Sequence, residues 1–258
     1  MLKKRLIFTL LVDNENFVLS RNFNLQKVGN YDWFVKNYNL DYLKYSIDEL
    51  IILNVSRENK KNSHFLKIVD KITKKFYCPL ALGGGITGHD IAKNYFSAGA
   101  DKIIINTLIF ENPVLVKEFS GKYGRQSIVG SIDYVFKNKE RSIFYNCGQK
   151  KINKRFLDIL KRLSKIGIGE LYLTCIDKDG TGQGLDLDVI KKIHNILNIP
   201  IILSGGAGTY FHLLEAFKIK AVDAVSTANI FNFMEKNLYF ARDYCINNKV
   251  PLVRWDSY

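Results

Sequence analysis

The chain has 258 residues, 47% hydrophobic and 24% charged, a balance that suits a globular protein with a large core and excludes a fibrous or disordered one. Its net charge of +13 favours anionic partners. The lysines are scattered in pairs such as Lys74-Lys75 and Lys191-Lys192, without the long basic run of a nucleic-acid tail. Four cysteines (Cys78, Cys147, Cys175, Cys245) form no CxxC, and four dispersed histidines (His64, His89, His194, His212) offer no metal spacing, so the expectation is a cytoplasmic protein without metal or cofactor.

The first apolar run, Leu6 to Val12, is seven residues long and is followed by no small-residue cleavage site. It falls well short of the ~20 residues of a membrane span and reads as a buried strand. Similar runs follow at 49–55, 79–83, 102–106, 127–133, 170–176, 200–204 and 223–228. Amphipathic stretches of helical length alternate with them, at 31–45, 63–76, 89–98, 112–124, 153–166, 186–197, 210–219 and 234–247. Strands that are apolar on both faces belong to parallel sheets. Eight strand–helix units in this length predict one (β/α)8 TIM barrel over 1–258; a doubly wound open sheet is the alternative, because periodicity does not count closure. Alternation around Lys137–Glu140 predicts a β-hairpin inserted at about 134–152.

The sequence repeats itself. "ALGGGITGHD" (81–90) returns as "LSGGAGTYFH" (203–212), and Gly84 and Gly205 are 121 positions apart. "IDELIILNV" (47–55) returns as "IGELYLTCI" (168–176), with Glu49 and Glu170 at the same offset. Each half of the chain, about 1–122 and 123–258, therefore reads as a half-barrel. The functional face of such a barrel is the C-terminal end of its strands. Gly84-Gly85 and Gly205-Gly206 fall there, where glycine lets backbone N–H groups approach an anion. Asn106 and Thr107 accompany the first pair; Ser204, Ser226 and Thr227 accompany the second. Two such cradles predict an elongated substrate with a phosphate at each end.

The stretches "MLKKRLI", "YSIDELIIL", "LALGGGI", "GADKIIINT", "ELYLTCIDKDGT" and "PIILSGGAG" make the chain resemble, over its whole length, the cyclase subunits of imidazole glycerol phosphate synthase. The resemblance implies an ammonia-dependent lyase of histidine biosynthesis that works with a glutamine amidotransferase on a bisphosphorylated ribonucleotide. It implies general acid–base catalysis by two carboxylates, at the ends of strands one and five. Asp133 in "GSID" matches the second. The first position is Leu11, and Asp13, two residues on, is the candidate replacement. Asp177, Asp179, Gly180 and Thr181 match substrate-binding positions; the family's closing-loop lysine is Leu19, with Arg21 nearby, and its strand-two carboxylate is Asn54. Arg5, Glu49, Lys102 and Glu170 match a charged ring that gates ammonia at the barrel base, and Asp101 a position on the partner-docking surface. Two alternatives accompany this reading: a paralogue serving ammonia-dependent amidation of a surface-polysaccharide sugar, and a stand-alone sugar-phosphate isomerase.

Overall fold

The computed structural model describes residues 3–38, 40–57, 62–163, 165–228 and 237–254; the first residues of the helix expected at 234–247 lie outside them. In chain order the strands are β1 (Arg5–Asp13), β2 (Asn16–Arg21), β3 (Asn24–Gly29), β4 (Glu49–Asn54), β5 (Leu80–Gly83), β6 (Lys102–Ile105), β7 (Ile128–Lys137), β8 (Glu140–Tyr145), β9 (Lys150–Lys151), β10 (Glu170–Cys175), β11 (Ile201–Ser204) and β12 (Ala224–Thr227). The helices are α1 (Tyr31–Asn37), α2 (Leu40–Leu43), α3 (Asn62–Thr73), α4 (His89–Ser97), α5 (Thr107–Glu111), α6 (Pro113–Tyr123), α7 (Phe156–Leu163), α8 (Asp188–Ile193), α9 (Tyr210–Lys218) and α10 (Asn237–Asn247).

Eight of the strands pair in parallel, in the order β1, β4, β5, β6, β7, β10, β11, β12, and β12 returns to β1. The sheet is closed, so the structure is a TIM barrel and the open-sheet alternative falls. Strand alternation splits the core into two shells. Inward positions such as Ile7, Ile51, Val129 and Ile202 fill the lumen. Outward ones such as Phe8, Leu50 and Leu171 pack under the helices, against Phe65, Phe119 and Leu160.

Two helix expectations change in detail. The stretch at 31–45 forms the separate α1 and α2. The one at 112–124 is preceded by α5, and the break falls at Asn112-Pro113. Proline has no N–H and restricts the residue before it, so it starts a helix rather than continuing one. Asn112 caps that start, its Oδ1 accepting from Leu115 N at 3.2 Å.

Each half-barrel also carries an antiparallel extension of its first strand: β2 and β3 on β1, β8 and β9 on β7. The second is legible from alternation; the first occupies the stretch where the family resemblance implies a closing loop. The β2–β3 turn is Asn22-Phe23 and the β7–β8 turn Asn138-Lys139, all four residues with φ between 51° and 63°. Paired left-handed residues make a hairpin turn, and without a glycine the usual sequence cue is missing.

Candidate active site at the barrel mouth

The strand ends surround a cavity of about 440 Å³ whose walls differ in chemistry. On the β6–β7 wall, Asp133 is 8% exposed. Asn106 Nδ2 donates to Asp133 Oδ2 at 3.1 Å and to the Ser131 carbonyl at 3.0 Å. Burial pushes the Asp133 carboxyl up to about 7, and the charge of Asp179 adds to the rise; the Asn106 hydrogen bond opposes both. Near neutral pH the group is poised to take or give a proton.

The β1–β4 wall is apolar. Leu11 and Leu53 are register partners, both line the cavity, and Phe23 and Leu25 join them. Asn54 also lines it, with its Oδ1 accepting from Ser56 N at 3.2 Å. Asp13 does not line this cavity. It shares the inward parity of Leu11, but β1 runs past the rim into the Asn14 turn, where Asn14 Nδ2 donates to Asp13 Oδ1 at 3.0 Å. Of the two carboxylates expected at the mouth, Asp133 lines this cavity and Asp13 does not.

The β2–β3 hairpin reaches across to the loop after β10. Ser20 Oγ donates to Asp179 Oδ2 at 2.5 Å, and Phe23 N donates to the same oxygen at 3.3 Å. Asn22 Nδ2 donates to the carbonyls of Ile176 and Asp177 at 3.1 and 2.9 Å. A Cβ on Gly180 would collide with the Ser20 carbonyl, so this close approach requires the glycine. Asp179 both lines the cavity and latches the hairpin, and burial raises its pKa. Asp177 is turned away: its Oδ1 accepts from Phe136 N at 2.8 Å, which ties β7 to this loop, and it does not line the cavity. Arg21 is exposed on the hairpin.

Both glycine turns adopt the same left-handed geometry. Gly84 and Gly85 have φ of 88° and 70°, Gly205 and Gly206 of 87° and 105°. A Cβ on Gly84 would strike the Asn54 carbonyl, and one on Gly205 the Cys175 carbonyl. Asn54 and Cys175 end β4 and β10, so the repeat is exact in its packing. Gly84, Gly85, Asn106 and Thr107 line the large cavity. Gly180, Thr181, Ser204, Gly205, Gly206, Ser226 and Thr227 line a second hollow of about 240 Å³ next to it. The Ser226 hydroxyl is committed inward, 2.6 Å from Thr9 Oγ1. Thr9 and Tyr172 line the large cavity, while Ser226 lines the second hollow. Sequence reading passed over Thr9 and Tyr172, although counting alternate residues from Glu170 puts Tyr172 in the lumen.

At the opposite end, Arg5 Nη1 meets Glu49 Oε2 at 2.6 Å and Arg5 Nη2 meets Glu170. Lys102 Nζ meets Glu49 at 3.0 Å and Glu170 at 2.9 Å. The ring is closed and neutral, and each carboxylate has two cations, which is what makes buried charge tolerable. Asp101 lies beside it, exposed, its Oδ2 accepting from Leu80 N at 2.9 Å; Asp223 makes the same bond to Ile201 N. That repeated bond joins adjacent strand starts and accounts for Asp101 without a partner. Among the described residues no helix is long and apolar enough to cross a membrane.

Comparison with known proteins gives the family. Residues 6–237 match the family model described as histidine biosynthesis protein. The chain is 37% identical over 256 residues (99% of this chain, 95% of the relative) to a protein of Parasynechococcus marenigrum provisionally named imidazole glycerol phosphate synthase subunit hisF2. It is 33% identical over 253 residues (98% and 99%) to imidazole glycerol phosphate synthase subunit HisF of Pyrococcus furiosus. The HisF of Exiguobacterium is 31% identical over 253 residues (98% and 97%).

Proposed function

The chain belongs to the histidine biosynthesis protein family, among the HisF subunits of imidazole glycerol phosphate synthase, and from that premise we propose that it conducts ammonia from a glutamine amidotransferase to a phosphate-binding mouth. The observation that carries this reading is the closed ring of Arg5, Glu49, Lys102 and Glu170 on the same axis as the cavity that holds Asp133. Two glycine turns with left-handed backbone support an anionic ligand at the mouth.

Adding ammonia to a carbonyl carbon requires nitrogen to shed a proton and the departing oxygen to gain one. Asp133, half charged near neutral pH, can do each in turn. Ring closure of the histidine-pathway type asks for a second carboxylate on the facing wall, where Leu11 and Leu53 stand. This apolar wall favours the paralogue reading: a weak cyclase whose ammonia serves amidation of another molecule, a surface-polysaccharide sugar.

The test is turnover of the bisphosphorylated ribonucleotide by the chain with its cognate glutaminase, with glutamine or ammonium as nitrogen source. Loss of one positioned acid–base group puts the expected rate ~10²–10⁴-fold below that of a two-carboxylate cyclase. A full rate would return the chain to the histidine pathway. Failure to form a complex at micromolar concentration, with both chains folded, would remove the conduit.

A further inference from the structure

The lumen between the ring and the mouth is apolar except at its upper edge. There Tyr172 of β10 enters a layer otherwise built of residues such as Ile7, Ile51 and Ile202. Its hydroxyl lies 3.2 Å from Ser204 Oγ, 3.3 Å from Ser226 Oγ and 3.5 Å from Thr9 Oγ1. Thr9 and Ser226 are 2.6 Å apart. The four residues come from the adjacent strands β10, β11, β12 and β1. Tyr172, Thr9 and Ser226 are 4%, 3% and 1% exposed, while Thr9, Tyr172 and Ser204 form part of the lining of the mouth cavity. In the other half-barrel the position of Tyr172 is Ile51, 121 residues earlier. The hydroxyls thus gather on the run of strands from β10 to β1, whose first member, β10, borders β7, the strand of Asp133.

Charge does not cross an apolar layer cheaply, so what leaves this lumen is neutral ammonia, not ammonium. Ammonia carries three N–H donors and one lone pair. A hydroxyl offers one hydrogen and two lone pairs, so a cluster of hydroxyls that bond among themselves keeps acceptor capacity in surplus. The cluster holds no charge that would protonate the visitor or bind it irreversibly. It stands where the dry path opens into the mouth.

We propose that Thr9, Tyr172, Ser204 and Ser226 form a docking station for neutral ammonia, which holds it at the mouth cavity before it reaches Asp133. The proposal rests on the ammonia-conducting reading above.

The test uses the complex with the cognate glutaminase and the bisphosphorylated ribonucleotide or, if the wild type leaves that unreacted, the cognate sugar amidotransferase and its sugar. Tyr172→Phe removes the hydroxyl and keeps the ring; Thr9→Val removes a hydroxyl at constant shape. Each is assayed with glutamine and with ammonium chloride. Ammonium in solution reaches the mouth directly and bypasses the station. Each variant is expected to lower the ratio of glutamine-driven to ammonium-driven rate about 5-fold, the equivalent of one hydrogen bond of ~1 kcal/mol. The double variant is expected to lose little more than either single one, because both act on one cluster. Equal losses with both nitrogen sources, or no loss with either, overturn the station. If Tyr172→Phe does not fold, Thr9→Val decides alone. A wild-type complex that transfers nitrogen from neither source overturns the conduit itself, and the station with it, and that outcome needs no variant.

Discussion

Asp133 is held where its charge is unwelcome. An exposed aspartate has a pKa of 3.8, and burial beside Asp179 lifts this one to about 7. The folded protein therefore binds a proton that the unfolded chain has already lost between those values. The stability this group contributes is complete below the unfolded pKa and lost as pH rises through about 7. Asp133→Asn removes the buried charge and should raise the melting temperature clearly at roughly pH 8 and little at roughly pH 4. A gain of equal size at both would mean that Asp133 is not held in its acid form. The same variant should abolish any residual cyclase activity. Leu11→Asp tests the facing wall from the other direction. It should raise the ribonucleotide rate by an order of magnitude or more, toward the ~10²–10⁴-fold that a positioned acid or base supplies. A steady-state assay showing no gain, in a variant shown to fold, would put the fault in substrate placement by Asn54 or the hairpin.

The glycine turns set requirements that no side chain elsewhere can relax. Gly84 and Gly205 combine positive φ with a strand-end carbonyl where a Cβ would stand. Alanine at either should cost roughly 2–4 kcal/mol, the sum of backbone strain and overpacking. Gly88, at the start of α4, meets nothing within 4 Å and has φ of −167°, so Gly88→Ala should stay within about 0.5 kcal/mol of wild type. Urea denaturation of the three variants measures this directly; equal costs would show that local flexibility, not crowding, fixes glycine here. The hairpins teach a related lesson. The β7–β8 pair was legible because alternation there is regular. The β2–β3 pair was not, since its tip is held by Asp179, 156 residues from Phe23.

At the scale of the molecule, the stretches leading into the barrel strands carry the exposed lysines Lys3, Lys75, Lys165, Lys218 and Lys220, beside the exposed Asp101, and Tyr77 among them is 91% exposed. A glutaminase that docks there should present an acidic face. The heterodimer should weaken as salt rises from ~0.05 to ~0.5 M, as rim electrostatics do. Sedimentation across that range gives the slope, and an affinity indifferent to salt would argue for docking elsewhere.

Much of this organisation is local and was therefore written in the order of residues. Apolar runs and amphipathic stretches gave the strands and helices, the 121-residue offset pointed to two half-barrels, and Arg5, Glu49, Lys102 and Glu170 stood at strand starts, where the family resemblance implied a charged ring. Each of these depends on residues a few positions apart or on a pattern that repeats. The mouth is different, because its chemistry depends on which strand ends become neighbours once the sheet closes. Only that closure set Leu11 beside Leu53 in a wall facing Asp133, made Asp179 both cavity wall and latch, and gathered the hydroxyls of Thr9, Tyr172, Ser204 and Ser226 from four strands into one cluster.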